Sequence, residues 1–259
     1  VHPWLPNAMV APTPVSALLH AVAVVKAGVF AILKVSTYIF GPELIESAPA
    51  SDWLAWIAAI SIVLASIIAM SSNNLKRRLA FSTVSQLSYV TLGAMIAAPL
   101  ALLGAALQIV MHAWGKITLF MCAGAIYTAS KKTEISDMRG LGRLMPWTFG
   151  AFAVGAFAII GLPPFGGMWP KLYLMMGAAS TGQLALIGAL ILSSILNVAY
   201  LLPIPGRGFF DPAPKEGLKQ RAPLLVVLPP VMTAAGVTVL FFLIGPLTEF
   251  LAPVFGVEL

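Results

Sequence analysis

Four lysines of this chain have no polar segment to sit in. Lys26, Lys34, Lys116 and Lys171 each fall inside a long apolar run, as do the histidines His20 and His112. Every Asp and Glu instead falls in a loop or near the end of a run, and so does every arginine. An arginine keeps its charge at any accessible pH, whereas a lysine stripped of its hydration can give up its proton. A buried set made of lysine alone therefore suits groups that gain and lose protons. A lysine at mid-membrane costs about 2.5 to 3.5 kcal/mol on insertion scales, so such residues face a polar interior or a water-filled cavity. Structural pairing is the alternative for Lys26 and Lys116, which lie near the middle of their runs. Lys34, near the end of its run, reads equally as a side chain reaching back to the interface.

Spacing adds to this. In "MHAWGK", His112 and Lys116 stand at i and i+4. Such positions differ by about 40° around a helix and lie one turn apart. Two cations stacked this way repel, so one proton tends to expel the other, which is relay behaviour. Gly115 between them admits a neighbouring helix or water. His20 and Lys26 are six apart, which puts them about 240° around the wheel on different faces. A bridging water or a helix irregularity near Ala27 and Gly28 would have to join them. His20 taken alone is equally an interhelical hydrogen bonder.

The elements that must position these groups are membrane helices. Of 259 residues, 59% are hydrophobic and 9% charged, against about 25% charged in soluble domains. The runs are about 20 residues or longer, enough to cross a ~30 Å hydrocarbon layer as helices, and they lack the alternation of barrel strands. The predicted fold class is an all-α polytopic membrane protein with about seven transmembrane helices, one of them discontinuous. The spans are read at about 14–40, 53–72, 75–98, 101–130, 146–178, 183–202 and 224–251. Eleven Lys and Arg residues follow the second, fourth and sixth spans, and none follows the first, third and fifth. The positive-inside rule then puts the N-terminus in the cytoplasm and the C-terminus outside, in a cell membrane. This distribution accounts for the net charge of +6 without nucleic acid. The chain opens on "VHPWLP" without an initiator Met and is read as the later part of a longer protein, forming one transmembrane domain over 1–259.

The fifth span is too long for one simple crossing and is interrupted by "GLPPFGG". Gly161, Pro163, Pro164, Gly166 and Gly167 disrupt its backbone hydrogen bonding, and Lys171 lies just beyond. Broken membrane helices recur at transport sites, where freed backbone groups line a cavity. The alternative is a proline kink with a lysine beside it. In the third span, Ser82, Ser85 and Gln86, with Thr83, Ser88 and Tyr89, either line a hydrated path or join helices; Gln108 and the Asn197, Ser193 and Ser194 group are similar. Cys122 reads as a small core residue. No nucleotide motif, metal-ligand cluster or nucleophile-plus-base arrangement is present in the sequence, so no cofactor or metal is expected and only proton or ion movement has residues to support it.

Four stretches, "HPWLPNAMVAPTPVSALLHAVAVVKAGVF", "LKRRLAFSTVSQLSYVTLG", "MHAWGKITLFMCAGAIY" and "GLPPFGGMWPK", together resemble the antiporter-like proton-translocating subunits. These include the large membrane-arm subunits of complex I, their counterparts in membrane-bound hydrogenases, and the large subunits of Mrp Na⁺/H⁺ antiporters. The resemblance implies a fourteen-helix fold with two inverted five-helix repeats. Residues 14–40 would be the last helix of the first repeat, 53–202 the second repeat and 224–251 the final helix. It also implies a hydrated axis through Lys26, His20, His112, Lys116 and Lys171, within a complex of other integral membrane subunits in the lipid bilayer. Two departures stand out. Gln108 occupies a position where many relatives have a histidine, and the family's gating Glu and Lys pair would lie upstream of Val1. The function implied is proton translocation, either as Na⁺/H⁺ antiport or as redox-driven pumping of the NADH:quinone oxidoreductase type. A non-conducting membrane scaffold is the alternative of another class.

Overall fold

The structure is a computed structural model that describes residues 4–212 and 222–257, without the side chains of 4 and 19–21. The His20 side chain and the loop cations Lys215, Lys219 and Arg221 therefore lie outside the described residues. Nine helices of twelve residues or more form the described body: α1 (Val24–Val35), α2 (Pro49–Ser71), α3 (Leu75–Ile96), α4 (Pro99–Ser130), α5 (Pro146–Ile160), α6 (Met168–Ser180), α7 (Leu184–Leu201), α8 (Leu224–Phe242) and α9 (Ile244–Phe255). Among the described residues the β structure amounts to one isolated antiparallel bridge, Asn74 with Glu134.

Prolines open three of these helices. Pro49, Pro99 and Pro146 stand at the starts of α2, α4 and α5, where the missing N–H costs nothing and φ is already helical. Asn74 caps α3 by accepting from the Arg77 N–H at 3.2 Å. Lys76, Arg77 and Arg78, expected in a loop, fall in the first turn of α3 instead. Cations there oppose the helix dipole, and backbone carbonyls of other segments compensate. Lys76 donates to Ala11 O, while Arg78 donates to Ser72 O, Met70 O and Tyr200 O at the C-terminal ends of α2 and α7.

α2, α3, α4, α7 with the short helix Pro203–Phe210 that follows it, and α8 are each long and apolar enough to cross a membrane. The first expected span is helical from residue 13 to 40, but π-helical stretches Ala17–Ala23 and Ser36–Phe40 flank α1. The irregularity expected near Ala27 and Gly28 thus lies earlier, around His20. The fifth span is discontinuous, as the glycines and prolines imply. α5 and α6 have 15 and 13 residues, about 22 and 20 Å at 1.5 Å per residue, so neither half crosses alone. The expected last span, 224–251, divides at Leu243 into α8 and α9. Pro246 lacks an N–H, and its ring would clash with the carbonyl of Phe242 four residues back.

α4 is the hub, packing against α1, α3, α5, α6, α8 and α9. Small residues let backbones meet there. A Cβ on Gly104 would lie 2.8 Å from Leu174 N, and one on Gly177 would lie 2.5 Å from Ala101 N, so α4 and α6 touch almost backbone to backbone. The basic turns share one end of the bundle, where Asn74, Lys76 and Lys132 line a single cavity of about 830 Å³. Phe40, Glu43 and Glu46 line another with Ala97, Pro99 and Phe255.

Candidate functional site

One face of α3 organises the buried polar residues. Arg78, Ser82, Gln86 and Tyr89 follow at intervals of four, four and three, a single stripe of a 3.6-residue helix. Each meets a different neighbour. Arg78 reaches Tyr200 O on α7 at 2.9 Å. Ser82 Oγ accepts from Lys116 Nζ of α4. Gln86 Oε1 accepts from Gln108 Nε2 of α4 at 2.9 Å. The Tyr89 ring lies under Lys171 Nζ of α6, 5.4 Å from its centroid. Beside the stripe, Ser85 meets Ser66 of α2 at 2.9 Å and Ser193 of α7 at 3.4 Å. Of the seryl and glutaminyl groups that the sequence left open between glue and lining, Ser82 and Ser194 bond lysines, while Ser85, Gln86 and Gln108 join helices to one another.

The lysines are held in three ways. Lys26 Nζ and His112 Nδ1 are 2.6 Å apart, joining α1 to α4 across 86 residues. When Lys26 donates as an ammonium, Nδ1 accepts and the imidazole proton sits on Nε2; when Lys26 is the free amine, Nδ1 donates. Both states keep the bond, so a proton can shift along it without the side chains parting. Lys116, fully buried at 0% exposure, donates to Leu79 O at 3.1 Å as well as to Ser82. Lys171 donates to Ile159 O at 2.9 Å, Ile160 O at 2.7 Å and Ser194 Oγ at 3.1 Å. Those two carbonyls belong to the last turn of α5, whose final C=O groups lack intrahelical partners and carry the negative end of its dipole. The break in the fifth span thus creates the acceptor site that Lys171 fills.

The break is shaped by its glycines. Gly161 adopts φ +90°, and Gly167 passes so close to α5 that a Cβ there would overlap Ala158 O. The Pro163–Pro164 peptide is cis. Gly166 N–H donates to Val237 O of α8 at 3.2 Å, so the final passage supports the opened backbone.

Of the residues singled out from sequence, Lys26, His112, Lys116, Lys171, Ser82, Ser85, Gln86 and Gln108 are brought into one buried region. Lys34 is not: it is exposed on α1, as a side chain near a helix end can be. His112 and Lys116 share a helix face but bond to different helices, α1 and α3. Sequence reasoning missed Arg78, Ser66 and Tyr200, whose hydroxyl donates to Asn197 Oδ1 at 2.5 Å. The stripe spacing on α3 was the available signal for Arg78. Gln86 Nε2, His112 Nε2 and Asn197 Nδ2 are buried with no hydrogen-bond partner among the described residues. Buried polar atoms of this kind are where proteins take up internal water. No group of three or more His, Cys, Asp or Glu residues able to hold a metal occurs among the described residues.

Fold and site together define a multi-pass helical membrane protein with a broken helix and a buried row of lysines. Residues 1–197 match the family described as NADH:quinone oxidoreductase/Mrp antiporter, transmembrane, and the chain belongs to that family. It is 34% identical over 228 residues to NADH-quinone oxidoreductase subunit N of Desulforudis audaxviator (strain MP104C), covering 86% of this chain and 44% of the relative. It is 36% identical over 205 residues to NADH-quinone oxidoreductase subunit L of Rickettsia bellii (strain RML369-C), covering 79% and 30%. The chain therefore spans less than half the length of these curated relatives. Among solved structures it resembles a chain of the Mrp complex from Dietzia sp. DQ12-45-1b (TM-score 0.86, 22% identity, covering 99% of this chain and 55% of that one). It also resembles a chain of respiratory complex I from Thermus thermophilus with bound NADH (TM-score 0.83, 21% identity, 98% and 53%). At these identities the likeness is one of fold.

Proposed function

We propose that this chain is the proton-relaying part of an ion-translocating subunit in a multisubunit membrane complex. Protons move among Lys171, Lys116, His112 and Lys26, with other integral membrane subunits as partners. The observation that carries the reading is the 2.6 Å Lys26–His112 contact. It joins two buried exchangeable groups on different helices, where an apolar pair would pack at lower cost. The relatives include subunits of NADH-quinone oxidoreductase, and the fold resembles that of a chain in an Mrp complex, so the driving force is either quinone-linked redox chemistry or exchange against Na⁺. The basic end of the bundle faces the cytoplasm and the C-terminus faces outside the cell membrane. Residues 14–40 close a first repeat, 53–202 form a second and 224–251 are the final passage.

The test uses the full-length protein in its complex. Lys116→Ala and Lys171→Ala are each expected to abolish proton- or Na⁺-linked transport in membrane vesicles while the complex still assembles. Normal transport by both variants would sink the reading. Purifying the intact complex and identifying its partners separates antiport from redox-driven pumping.

A scaffold reading also has an observation behind it. Lys116 and Lys171 both donate to backbone carbonyls, as lysines serving only structure would. The Lys26–His112 contact weighs against it, because a carbonyl partner would hold a permanent ammonium better than an imidazole.

A further inference from the structure

Lys171 and the Lys26–His112 pair sit on different helices, and the protein must join them if both belong to one relay. Two hydroxyl-bearing residues, Ser194 and Tyr89, adjoin Lys171. Ser194 Oγ of α7 accepts from Lys171 Nζ at 3.1 Å. The Tyr89 hydroxyl lies beside Ser193, Ser194 and Gln86. Gln86 is bonded to Gln108, which stands one turn before His112 on α4. Tyr89 is fully buried, yet the hydrogen bond its hydroxyl donates to Leu190 O is a long one, 3.5 Å. A buried phenol usually has a firm partner. With that bond long, Ser194 and Gln86 are side-chain neighbours with which the Tyr89 hydroxyl can exchange a proton. Its ring meanwhile packs against Lys171 Nζ.

We propose that Tyr89, assisted by Ser194, is the link through which a proton passes between Lys171 and the His112–Lys26 pair. The inference rests on the relay reading above. Lys171 gives a proton to Ser194 Oγ as Ser194 passes its own to the Tyr89 oxygen. The phenolic proton leaves to a water held by the Gln86 amide, and that water gives a proton to His112 Nε2 while Nδ1 releases one to the Lys26 amine. Each intermediate group gains one proton and loses one, so the net change is one proton from Lys171 to Lys26.

The experiment compares Tyr89→Phe, Tyr89→Leu, Ser194→Ala and Lys171→Ala in the full-length protein within its assembled complex. Ion-linked transport is measured in sealed vesicles in H₂O and D₂O. Tyr89→Phe keeps the ring over Lys171 and removes one oxygen. It is expected to lower maximal turnover at least tenfold at unchanged apparent ion affinity, with a larger solvent isotope effect. Tyr89→Leu should fall at least as far, and Ser194→Ala by a smaller factor. Wild-type turnover and isotope effect in Tyr89→Phe would overturn the link even if Tyr89→Leu fails, because the ring alone would then matter. If Tyr89→Phe does not assemble, Ser194→Ala decides: an unchanged turnover and isotope effect overturn the link. Lys171→Ala separates the two levels. If it is inactive while Tyr89→Phe is normal, only this link fails; if it transports normally, the link fails too, and if Lys116→Ala also transports normally the relay reading fails with it.

Discussion

Gly167 occupies a place that no side chain fits. A Cβ there would fall on Ala158 O of α5, well inside any permitted contact. Gly167→Ala must push α5 and the start of α6 apart and withdraw the Ile159 and Ile160 carbonyls from Lys171. The expected outcome is loss of folded, assembled protein by size-exclusion chromatography. Gly188→Ala on α7 is the control: beyond its own stretch of helix, no described atom lies within 4 Å of its Cβ position, and an interior helical Gly→Ala change favours the helix by about 1 kcal/mol. If Gly167→Ala were as stable as Gly188→Ala, the close approach at the break would be wrong. The identity of the buried ionisable residues was legible in the sequence, because a lysine in an apolar run is conspicuous by cost alone. Their partners were not. The i, i+4 spacing of His112 and Lys116 fixes only their relation on one helix. Lys26 reaches His112 across 86 residues and Lys116 reaches Leu79 across 37, distances over which no periodicity speaks.

At the level of elements, Arg78 ties two helix ends together. Its guanidinium donates to Ser72 O at 2.8 Å, Met70 O at 3.3 Å and Tyr200 O at 2.9 Å, carbonyls at the C-terminal ends of α2 and α7. A planar fork with several fixed donors can meet three acceptors at once, whereas an ammonium on a flexible stem cannot do so in the same geometry. Hydrogen bonds to charged groups contribute about 1.5 to 3 kcal/mol each when well made, and the half-exposed position here calls for the lower end. Arg78→Met is therefore expected to lower unfolding stability in detergent by about 1 to 3 kcal/mol, with Arg78→Lys recovering part of the loss. An unchanged melting temperature in Arg78→Met would refute the tie. The sequence announced most of these elements, since α2, α3, α4 and α7 begin and end within a few residues of the apolar runs. It did not announce the division of the last run at Leu243. Hydropathy continues across that point, and only the backbone demands of Gly245 and Pro246 break it.

For the whole molecule, the sidedness of the charges follows the packing. Residues of the basic turns, Asn74, Lys76 and Lys132, line one cavity. Phe40, Glu43, Glu46 and Ala97 line another with Phe255 near the C-terminal end. Between Glu46 and Asp137 the chain runs through α2, α3 and α4, three crossings, so these two exposed residues should face opposite sides of the membrane. The lone cysteine makes this measurable: Cys122 is fully buried and contributes little background, which Cys122→Ala removes altogether. In that background Glu46→Cys should react with a membrane-impermeant maleimide on intact cells. Asp137→Cys should react only in inverted vesicles or after the membrane is opened. The proposed orientation sets this expected direction by the positive-inside rule, since Lys131, Lys132, Arg139 and Arg143 surround Asp137 while Glu43, Glu46 and Asp52 follow the first span. Labelling of both sites from the same side would mean that one of α2, α3 and α4 does not cross. The reversed pattern would keep the fold and invert its orientation, exchanging the two faces between which the lysines would move protons.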